Sequence, residues 1–362
     1  MKCTIQNIAD HLGLSRNTVS KALKNSSEVS ENTRNLVIKT ASKLGYKNAT
    51  FATPVIPASE TGSNGTILFL TRTYASDSEF WTTVLRGIES ILSNANYHLA
   101  ISIMSDSDLK QLNFPQTISD SSIKGIILVE ICDKVVCDAL SQFNLPIVSV
   151  DMPNVPFEEL NGIDVVTMES KKNLKKIINQ LIEKGAESFG FVGDLYSPNV
   201  SRGFQERYNA LSECLAEHQL PLNQKNCLLH QTPEDFRNFQ TTVNNLQAMI
   251  SLPDVFICGN DWTAIQLIYA LQFLGFQIPK DICVVGFDNI PAASRISPSL
   301  TTISTPQKYL GIAAARQILE RIQHPNCPHV FCQYETELII RNSTNIISVS
   351  YTHLTLPTTS RV

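Results

Sequence analysis

The chain has 362 residues, of which 43% are hydrophobic and 17% are charged, and its formal net charge is −4 at pH 7. This composition is typical of a globular protein with a sizeable core, and the length predicts two or three domains. No apolar run reaches the roughly 18 residues of a membrane helix, and the first 20 residues lack the apolar stretch of a signal peptide. Nine cysteines without a Cys-x-x-Cys pair indicate buried thiols in a reducing compartment, so we expect a cytoplasmic protein with no membrane contact.

Charge is distributed unevenly along the chain. Residues 1–50 carry eight Lys and Arg against three Asp and Glu, a net charge of +5, which leaves −9 for the other 312 residues. A small basic segment ahead of a large acidic one predicts that the first part meets a polyanion and that the second does not.

The spacing of apolar residues predicts three short helices within residues 1–47. The first ends at Gly13, and the second runs from the N-cap residue Ser15 to about Leu23. The third begins at Ser30 and closes the core. Two short helices joined by a glycine turn form a helix-turn-helix, whose second helix enters the DNA major groove. The alternative is a small three-helix bundle with a solvated basic face.

Polar side chains at the start of the second helix are the predicted contacts with DNA. Arg16 can donate two hydrogen bonds to guanine, and Asn17 can pair with adenine. Hydroxyl groups are suited to phosphates, and Lys21 to a base edge or a phosphate. The predicted DNA-binding residues are Thr4, Ser15, Arg16, Asn17, Thr18, Ser20, Lys21 and Tyr46.

The segment from Thr4 to Leu23 resembles the opening signature of the lac repressor family of bacterial transcription regulators, and residues 29–34 and 43–46 continue it. The turn, the helix caps, the core residues and the residues expected to contact DNA bases all have the spacing found in the family. The resemblance covers roughly residues 3–47 and 65–344. It implies an N-terminal three-helix DNA-binding domain followed by a two-lobed effector domain like that of periplasmic binding proteins.

Residues 48–64 have the composition of a linker, with Pro54, Pro57 and a single charge. The family usually has a short hinge helix here, with an Arg-x-Leu signal, that wedges a leucine into the minor groove. This segment contains neither arginine nor leucine, and its prolines interrupt a helix. We expect a flexible tether, with Ile56 as an alternative wedge.

From residue 65 to residue 344, short apolar runs alternate with segments of helical periodicity. Many runs are apolar on both faces, which is typical of covered parallel strands. The alternation over about 280 residues predicts an α/β fold with parallel sheets in two lobes, and a ligand crevice at the carboxyl ends of the strands. The predicted strands are Thr66–Leu70, Tyr97–Met104, Gly125–Glu130, Pro146–Asp151, Phe189–Gly193, Asn226–His230, Val255–Cys258 and Ile282–Phe287, and the predicted helices are Phe80–Leu92, Asn173–Lys184, Phe204–Ala216, Asp261–Leu274 and Gly311–Ile322.

Two charged residues at predicted helix starts are candidate effector contacts. Asp261 follows a buried strand and a glycine, where it can cap the helix or accept hydrogen bonds from ligand hydroxyls. The family resemblance favours the ligand, because the corresponding aspartate contacts the effector. Arg207 lies in a segment resembling the family's second ligand element, and its guanidinium suits adjacent hydroxyls or a carboxylate. Arg202 is the competing register, and a solvated surface arginine is the alternative.

Three further residues complete the predicted effector site. Phe80 and Trp81 lie where the family places an aromatic loop, and they either stack on a sugar face or belong to the core. Asp151 ends a predicted strand. The segment containing Phe287 and Asp288 also matches the family; we expect structural or interface roles there, with both residues near the crevice.

Sequence signatures of enzymes are missing from the chain: it has no Gly-x-Gly-x-x-Gly, phosphate-binding Gly-Lys-Ser/Thr, His-Glu-x-x-His or Gly-x-Ser-x-Gly segment. Its seven histidines lack metal-ligand spacing. We therefore expect no catalytic residues, no metal and no cofactor. Residues 345–362 lack periodicity, and we expect a non-native or disordered tail.

These patterns predict a homodimeric transcription regulator, a repressor, that binds double-stranded operator DNA. Two half-sites multiply the affinity of a single helix-turn-helix. A small effector, a sugar or sugar derivative, would control the affinity for DNA, and a purine-type ligand stays open. The alternatives are a sugar-binding sensor without a DNA-directed role and an enzyme on a similar two-lobed fold.

Overall fold

The computed structural model of the chain describes residues 4–23, 29–30, 33, 36–37, 40–41, 63–72, 78–195, 201–230 and 238–344. The chain divides between Ser63 and Asn64 into two compact units. Most of the predicted third helix, nearly all of the predicted linker and the predicted tail lie outside the described residues, as does Tyr46.

The first unit contains helices α1 (Ile5–Leu12) and α2 (Arg16–Leu23). The turn between them depends on Gly13, whose φ of 63° lies in the left-handed region that glycine adopts with least strain. Both helices bury an apolar face in a common cluster. Its described members are Ile8, Ala9, Val19, Ala22, Val29, Val37 and Ala41. The helix-turn-helix predicted for this segment is therefore present.

In the second unit, strands and helices alternate along the chain, as the sequence predicts. The described strands are β1 (Thr66–Arg72), β2 (His98–Met104), β3 (Ile123–Val129), β4 (Ile147–Val150), β5 (Ile163–Met168), β6 (Phe189–Asp194), β7 (Leu228–His230), β8 (Val255–Cys258), β9 (Cys283–Asp288), β10 (Thr301–Ser304), β11 (Phe331–Tyr334) and β12 (Glu337–Ile339). The described α-helices are α3 (Glu79–Asn94), α4 (Asp106–Gln111), α5 (Lys134–Ser141), α6 (Lys172–Glu183), α7 (Arg202–Glu217), α8 (Phe239–Ala248), α9 (Asp261–Phe273) and α10 (Gln307–Gln323).

The strands form two sheets, one in each lobe. The order is β11-β5-β4-β3-β1-β2 in the first lobe and β12-β10-β9-β8-β6-β7 in the second. Described neighbours pair in parallel, apart from the antiparallel pair of β10 with β12. Between described strands, the chain passes from one lobe to the other after β5, after β10 and after β11, so several segments connect the two lobes. The predicted α/β class with parallel sheets is confirmed.

Polar residues in buried strands explain why the sequence patterns missed β5 and β10. Asp164 interrupts the apolar run of β5, and β10 consists of Thr301, Thr302, Ile303 and Ser304. Both threonines are fully buried, and their hydroxyls are bonded to residues distant in sequence. Such partners are invisible to local periodicity. Within the described ranges, no helix combines the length and apolar character needed to cross a bilayer.

A buried ion pair joins β5 to α10. The Asp164 carboxylate accepts hydrogen bonds from Nε and Nη2 of Arg321 at 3.0 and 2.8 Å and from the Val330 amide at 2.8 Å. Burial acts to raise the pKa of Asp164, but the hydrogen bonds from Arg321, Val330 and Gln317 hold it below its ordinary value. The pair therefore fixes α10, and the segment before β11, against the first sheet.

Arg321→Met should lower the free energy of unfolding by about 3–5 kcal/mol, because it leaves the Asp164 carboxylate buried without its cation. Urea unfolding at pH 7 measures the change. The control is Lys172→Met, which breaks an ion pair with Glu335 whose side chains are 67% and 70% exposed and should change stability little. Equal effects of the two substitutions would contradict the role given to Arg321.

Candidate functional site

A crevice between the lobes collects polar residues from the carboxyl ends of strands in both sheets. It encloses about 670 Å³ of space outside protein atoms, including solvent at its mouth. Strand ends contribute Arg72, Glu130, Asp151, Met168, Asp194, Asn260 and Asp288, and the starts of α3 and α7 contribute Ser78, Phe80, Trp81, Ser201, Phe204 and Arg207. Parallel strands of facing sheets bring these ends together, so the predicted place of the crevice agrees with the structure.

Two aromatic rings from the first turn of α3 form one wall. The Phe80 ring meets the Trp81 ring edge to face, with centroids 4.6 Å apart. Phe80 is 5% exposed and belongs to the core cluster, whereas Trp81 is partly buried against it. Both residues line the crevice as well. Phe80 therefore belongs to the core, and stacking of either ring on a sugar face stays a prediction.

Arg207 is a buried cation in the second lobe. Its Nη1 donates a hydrogen bond of 2.7 Å to the Gly259 carbonyl, and its guanidinium carbon lies 3.7 Å from the centroid of the Phe287 ring. Burial lowers the pKa of Arg207, while Asp288 and Asp151 act to raise it. Arg202, the competing register, pairs with Glu206 at 2.8 Å and is not among the lining residues described. The geometry favours Arg207.

Carboxyl groups from both lobes line the crevice together with this cation, and Asp288 and Asp151 act on it electrostatically. Asp151 and Glu130 follow β4 and β3 in the first lobe, and Asp194 and Asp288 end β6 and β9 in the second. Burial raises the pKa of Asp151, and it raises the pKa of Asp288 well above the ordinary range of an aspartate. Burial also raises the pKa of Glu130 to about 7.

The backbone is strained at three of these carboxylates. The φ angles are 58° at Glu130, 76° at Asp151 and 121° at Asp288, all in the region that disfavours side chains. Such strain persists where the surroundings impose it and concentrates at functional sites. Here it aims three acidic side chains away from the ideal path of their strands.

Asp261 occupies a different position from the one predicted. Its side chain is fully buried, and it is not among the described lining residues of the crevice. Oδ1 accepts the Thr302 hydroxyl at 2.5 Å, and Oδ2 accepts the Ile290 amide at 2.9 Å. A Cβ at Gly286 would collide with the carboxylate. The geometry thus gives Asp261 a structural role and brings Asp288, which sequence reasoning only placed nearby, into the crevice.

Other lining residues were not singled out in the sequence. Arg72, Glu130, Asp194 and Asn260 each end or follow a buried strand, and that shared position was the available signal. It is weak, because many strand ends carry polar residues that never meet.

In the first unit, the predicted DNA-binding residues include helix caps, exposed side chains and half-buried side chains. Thr4 Oγ1 accepts the Asn7 amide at 3.3 Å, and Ser15 Oγ accepts the Thr18 amide at 3.0 Å. Arg16 and Asn17 follow on α2 with exposed side chains, whereas Ser20 and Lys21 are half-buried. The hydroxyls therefore order the helix starts, and Arg16 and Asn17 extend into solvent.

Comparisons with known proteins match both units. Residues 4–48 match the family described as bacterial regulatory proteins, lacI family, and residues 178–344 match the periplasmic binding protein-like domain. The chain is 26% identical over 345 residues to the transcriptional repressor PurR of Photobacterium profundum, and 27% identical over 344 residues to the ribose operon repressor of Haemophilus influenzae. Each match covers 94% of this chain and 98% of the relative.

A solved structure extends the likeness in fold. The crystal structure of the lac repressor dimer bound to operator and the anti-inducer ONPF superposes with a TM-score of 0.64 at 20% identity, covering 95% of this chain and 99% of that chain. At this identity the likeness concerns the fold alone. It agrees with the predicted class of a helix-turn-helix followed by a two-lobed domain.

Asp261→Ala should lower the free energy of unfolding by about 2 kcal/mol or more, because the Thr302 hydroxyl and the Ile290 amide lose their buried acceptor. Thr302→Val should lower it in the same direction, since it removes the partner of Oδ1. Glu183→Ala, a truncation at an exposed acidic residue, is the control. Thermal and urea unfolding measure all three, and an Asp261→Ala protein as stable as the parent would contradict the structural role.

Proposed function

We propose that the chain is a sequence-specific DNA-binding transcriptional repressor of the lac repressor family, controlled by a small polyhydroxylated effector, and the family-model matches and the repressors similar to it support this proposal. The first unit binds operator DNA. The crevice of the second unit binds the effector, a sugar or sugar derivative.

One observation carries the effector site. Among the described residues, Nε of Arg207 and Oε2 of Glu130 are buried polar atoms without a hydrogen-bond partner, and both residues line the crevice. Leaving a buried donor or acceptor unpaired costs about 1–3 kcal/mol, and more for charged groups. A ligand that offers acceptors to Arg207 and donors to Glu130 removes this cost. Hydroxyl groups can do both.

The shape and composition of the wall suit the same ligand class. Effector pockets combine a ring surface with a few polar groups that fix orientation. Trp81 supplies the ring surface, and the carboxylates of Asp151 and Asp288 supply acceptors from opposite lobes. A polyol that bonds both lobes at once stabilises the closed arrangement.

Asp288 also contacts a segment that connects the two lobes, so closure of the lobes around a ligand can affect that segment. Its carbonyl accepts hydrogen bonds from Nε2 of Gln307 at 2.7 Å and from Oγ1 of Thr305 at 3.2 Å. Residues 305–307 form the crossing from β10 to α10. A ligand that holds Asp288 therefore acts next to a connection between lobes, and DNA affinity changes to the extent that the ligand prefers one arrangement.

DNA binding rests on the exposed start of α2. Arg16 and Asn17 present the side chains best suited to guanine and adenine, on a segment with a net charge of +5 over residues 1–50. We place the protein in the cytoplasm, where a repressor meets its operator.

We infer a homodimer because a single helix-turn-helix makes few contacts with DNA. Two linked heads bind two half-sites with far greater affinity than one. The second unit offers an association face on the edge strand β2, where Ile101 and Ile103 are 54% and 47% exposed. Exposed apolar residues on an edge strand favour pairing with a second copy of the chain.

We propose no enzymatic role. The thiol that lines the crevice, Cys132, is a poor nucleophile, because burial, with Asp151 next in importance, raises its pKa well above the ordinary value. The relatives reported above are transcriptional repressors by name.

Arg16→Ala should weaken binding to the selected operator by about 1–3 kcal/mol and relax the base preference at one position. Selection from random DNA fragments defines the operator, and fluorescence anisotropy measures affinity. Affinity of the parent should fall steeply with salt, as phosphate contacts require. The control, Arg295→Ala, removes an exposed arginine of the second unit and should leave both unchanged. An unaltered base preference after Arg16→Ala would count against the assignment.

Arg207→Met should weaken binding of the effector by about 10–100-fold while preserving operator affinity without effector, because charge-assisted hydrogen bonds to the ligand are lost. A thermal-shift screen of sugars finds the ligand, and titration calorimetry measures its affinity. The matched control is Arg202→Met, five positions earlier, which should retain most of the affinity. A larger loss in the control would move the ligand contact to Arg202.

A further inference from the structure

The described wall of the crevice carries more carboxylates than guanidinium groups. Glu130, Asp151, Asp194 and Asp288 face Arg72 and Arg207. Arg72 is itself paired at 2.7 Å with Asp106, which is not among the lining residues described. Carboxyl groups therefore outnumber guanidinium groups along the crevice wall, and burial raises the pKa of Glu130, Asp151 and Asp288.

Electrostatic coupling shows that these carboxylates share one region. Burial raises the pKa of Glu130, Asp194 and Asp151 add to the increase, and Arg72 acts to lower it. Burial likewise raises the pKa of Asp288, with Asp261, Asp151 and Glu130 adding to the increase and Arg207 acting to lower it. Within the described residues, the carboxylates of the two lobes thus repel one another across the crevice.

We propose that the crevice selects an effector that bears a protonated amino group beside its hydroxyls, such as an amino sugar, and that Glu130 is the residue that recognises this group. The inference rests on the proposed role of the crevice as the effector site. It concerns the charge of the effector, which that role leaves open.

Three observations support an amine. Oε2 of Glu130 is buried and has no hydrogen-bond partner among the described residues, so it can accept a donor from the ligand. The Trp81 indole lies within hydrogen-bonding reach of the same carboxylate, so an ammonium bound there would be close to a ring that attracts cations. Asp151 and Asp194 act on Glu130 electrostatically, so one cation would reduce the repulsion among all three.

The same surplus discriminates between ligand charges. A neutral hydroxyl can bond Glu130 but leaves the repulsion among the carboxylates in place. A carboxylate or phosphate on the ligand adds to it and is rejected unless it reaches Arg207 alone. Amino sugar, parent sugar and acid sugar should therefore bind in that order.

The test is titration calorimetry of the full chain with sets of sugars that differ only in charge. The probes are glucosamine, galactosamine and mannosamine, their parent hexoses, and glucuronate and galacturonate. At least one amino sugar should bind about tenfold or more tighter than its parent hexose, as charge-assisted bonds require, and the hexuronates should bind weakest.

Glu130→Gln should remove most of the preference for the amine, because it should weaken binding of the amino sugar far more than binding of the parent hexose, whose hydroxyl can still donate to the glutamine oxygen. Glu89→Gln, a substitution at an exposed glutamate on α3, should preserve the preference. Asp194→Asn, which removes a neighbouring carboxylate, should also reduce it and provides a second variant if Glu130→Gln folds poorly. Thermal unfolding reports folding.

Proton release gives an independent readout. Glu130 interacts with Arg72, Asp194, Trp81 and Asp151, and also with Asp288 and Cys132, and burial raises its pKa in the free protein to about 7. A bound ammonium would lower that pKa, so binding just below pH 7 should release protons, and affinity should rise from pH 5 to pH 7 and fall again above about pH 8, where the free amine loses its own proton. Calorimetry in buffers of different ionisation enthalpy measures the release, which a neutral hexose should not produce.

Amino sugars that bind no better than their parent hexoses, or that fail to bind, would overturn the inference. Tightest binding by a hexuronate would overturn it as well. Selection of operator DNA, with its release by any sugar, tests the proposed repressor function separately, so the two can fail independently.

Discussion

Arg207 is a cation buried between two lobes, and the structure around the crevice depends on how its charge is balanced. Phe287 and Phe204 flank the guanidinium, with distances of 3.7 and 5.1 Å from its carbon to the two ring centroids, and the Gly259 carbonyl takes one of its donors. The opposing charge comes from several carboxyl groups, Asp288 in the same lobe and Asp151 in the other before the rest, and not from a single bonded partner. A buried charge with a diffuse counter-charge is costly unless a polar ligand completes its bonding.

The same arrangement links ligand binding to lobe geometry. Asp288 contributes its carboxylate to the crevice and its carbonyl to the crossing segment through Gln307 and Thr305. Across the rim, the Arg202 amide donates to the Met152 carbonyl at 2.9 Å, so the lobes already touch beside the crevice. Ligand contacts and lobe contacts thus share residues.

The sequence predicted features whose causes are local and missed those with distant causes. Gly13, the Ser15 cap and the apolar spacing of α1 and α2 act within a few residues, and the structure has them where expected. Strand β10 was missed because its threonines are satisfied by Asp261 and Arg341, each about 40 positions away. The crevice could be located from strand ends, and Phe80, Trp81, Asp151 and Arg207 line it, whereas Glu130 and Asp194 were not singled out.

Asp261 and Asp288 show the limit most clearly. Both follow buried strands, and sequence spacing cannot decide which carboxylate turns toward a ligand. Packing decides it: Gly286 leaves room behind β9 for the Asp261 carboxylate, which bonds Thr302, and Asp288 at the end of the same strand is left facing Arg207. Contacts with β9 and β10, both distant from Asp261 in sequence, thus determine which of the two carboxyl groups lines the crevice.

Charge separates the two tasks of the chain in the same way. The basic first 50 residues attract a polyanion, whereas the remaining residues carry a net charge of −9 and are repelled by it. A crevice wall with four carboxyl groups and two guanidinium groups favours cationic ligands over anionic ones. The acidic balance of residues 51–362 and the lining of the crevice therefore both disfavour anions, which supports the division of the two proposed binding events between the two parts of the chain.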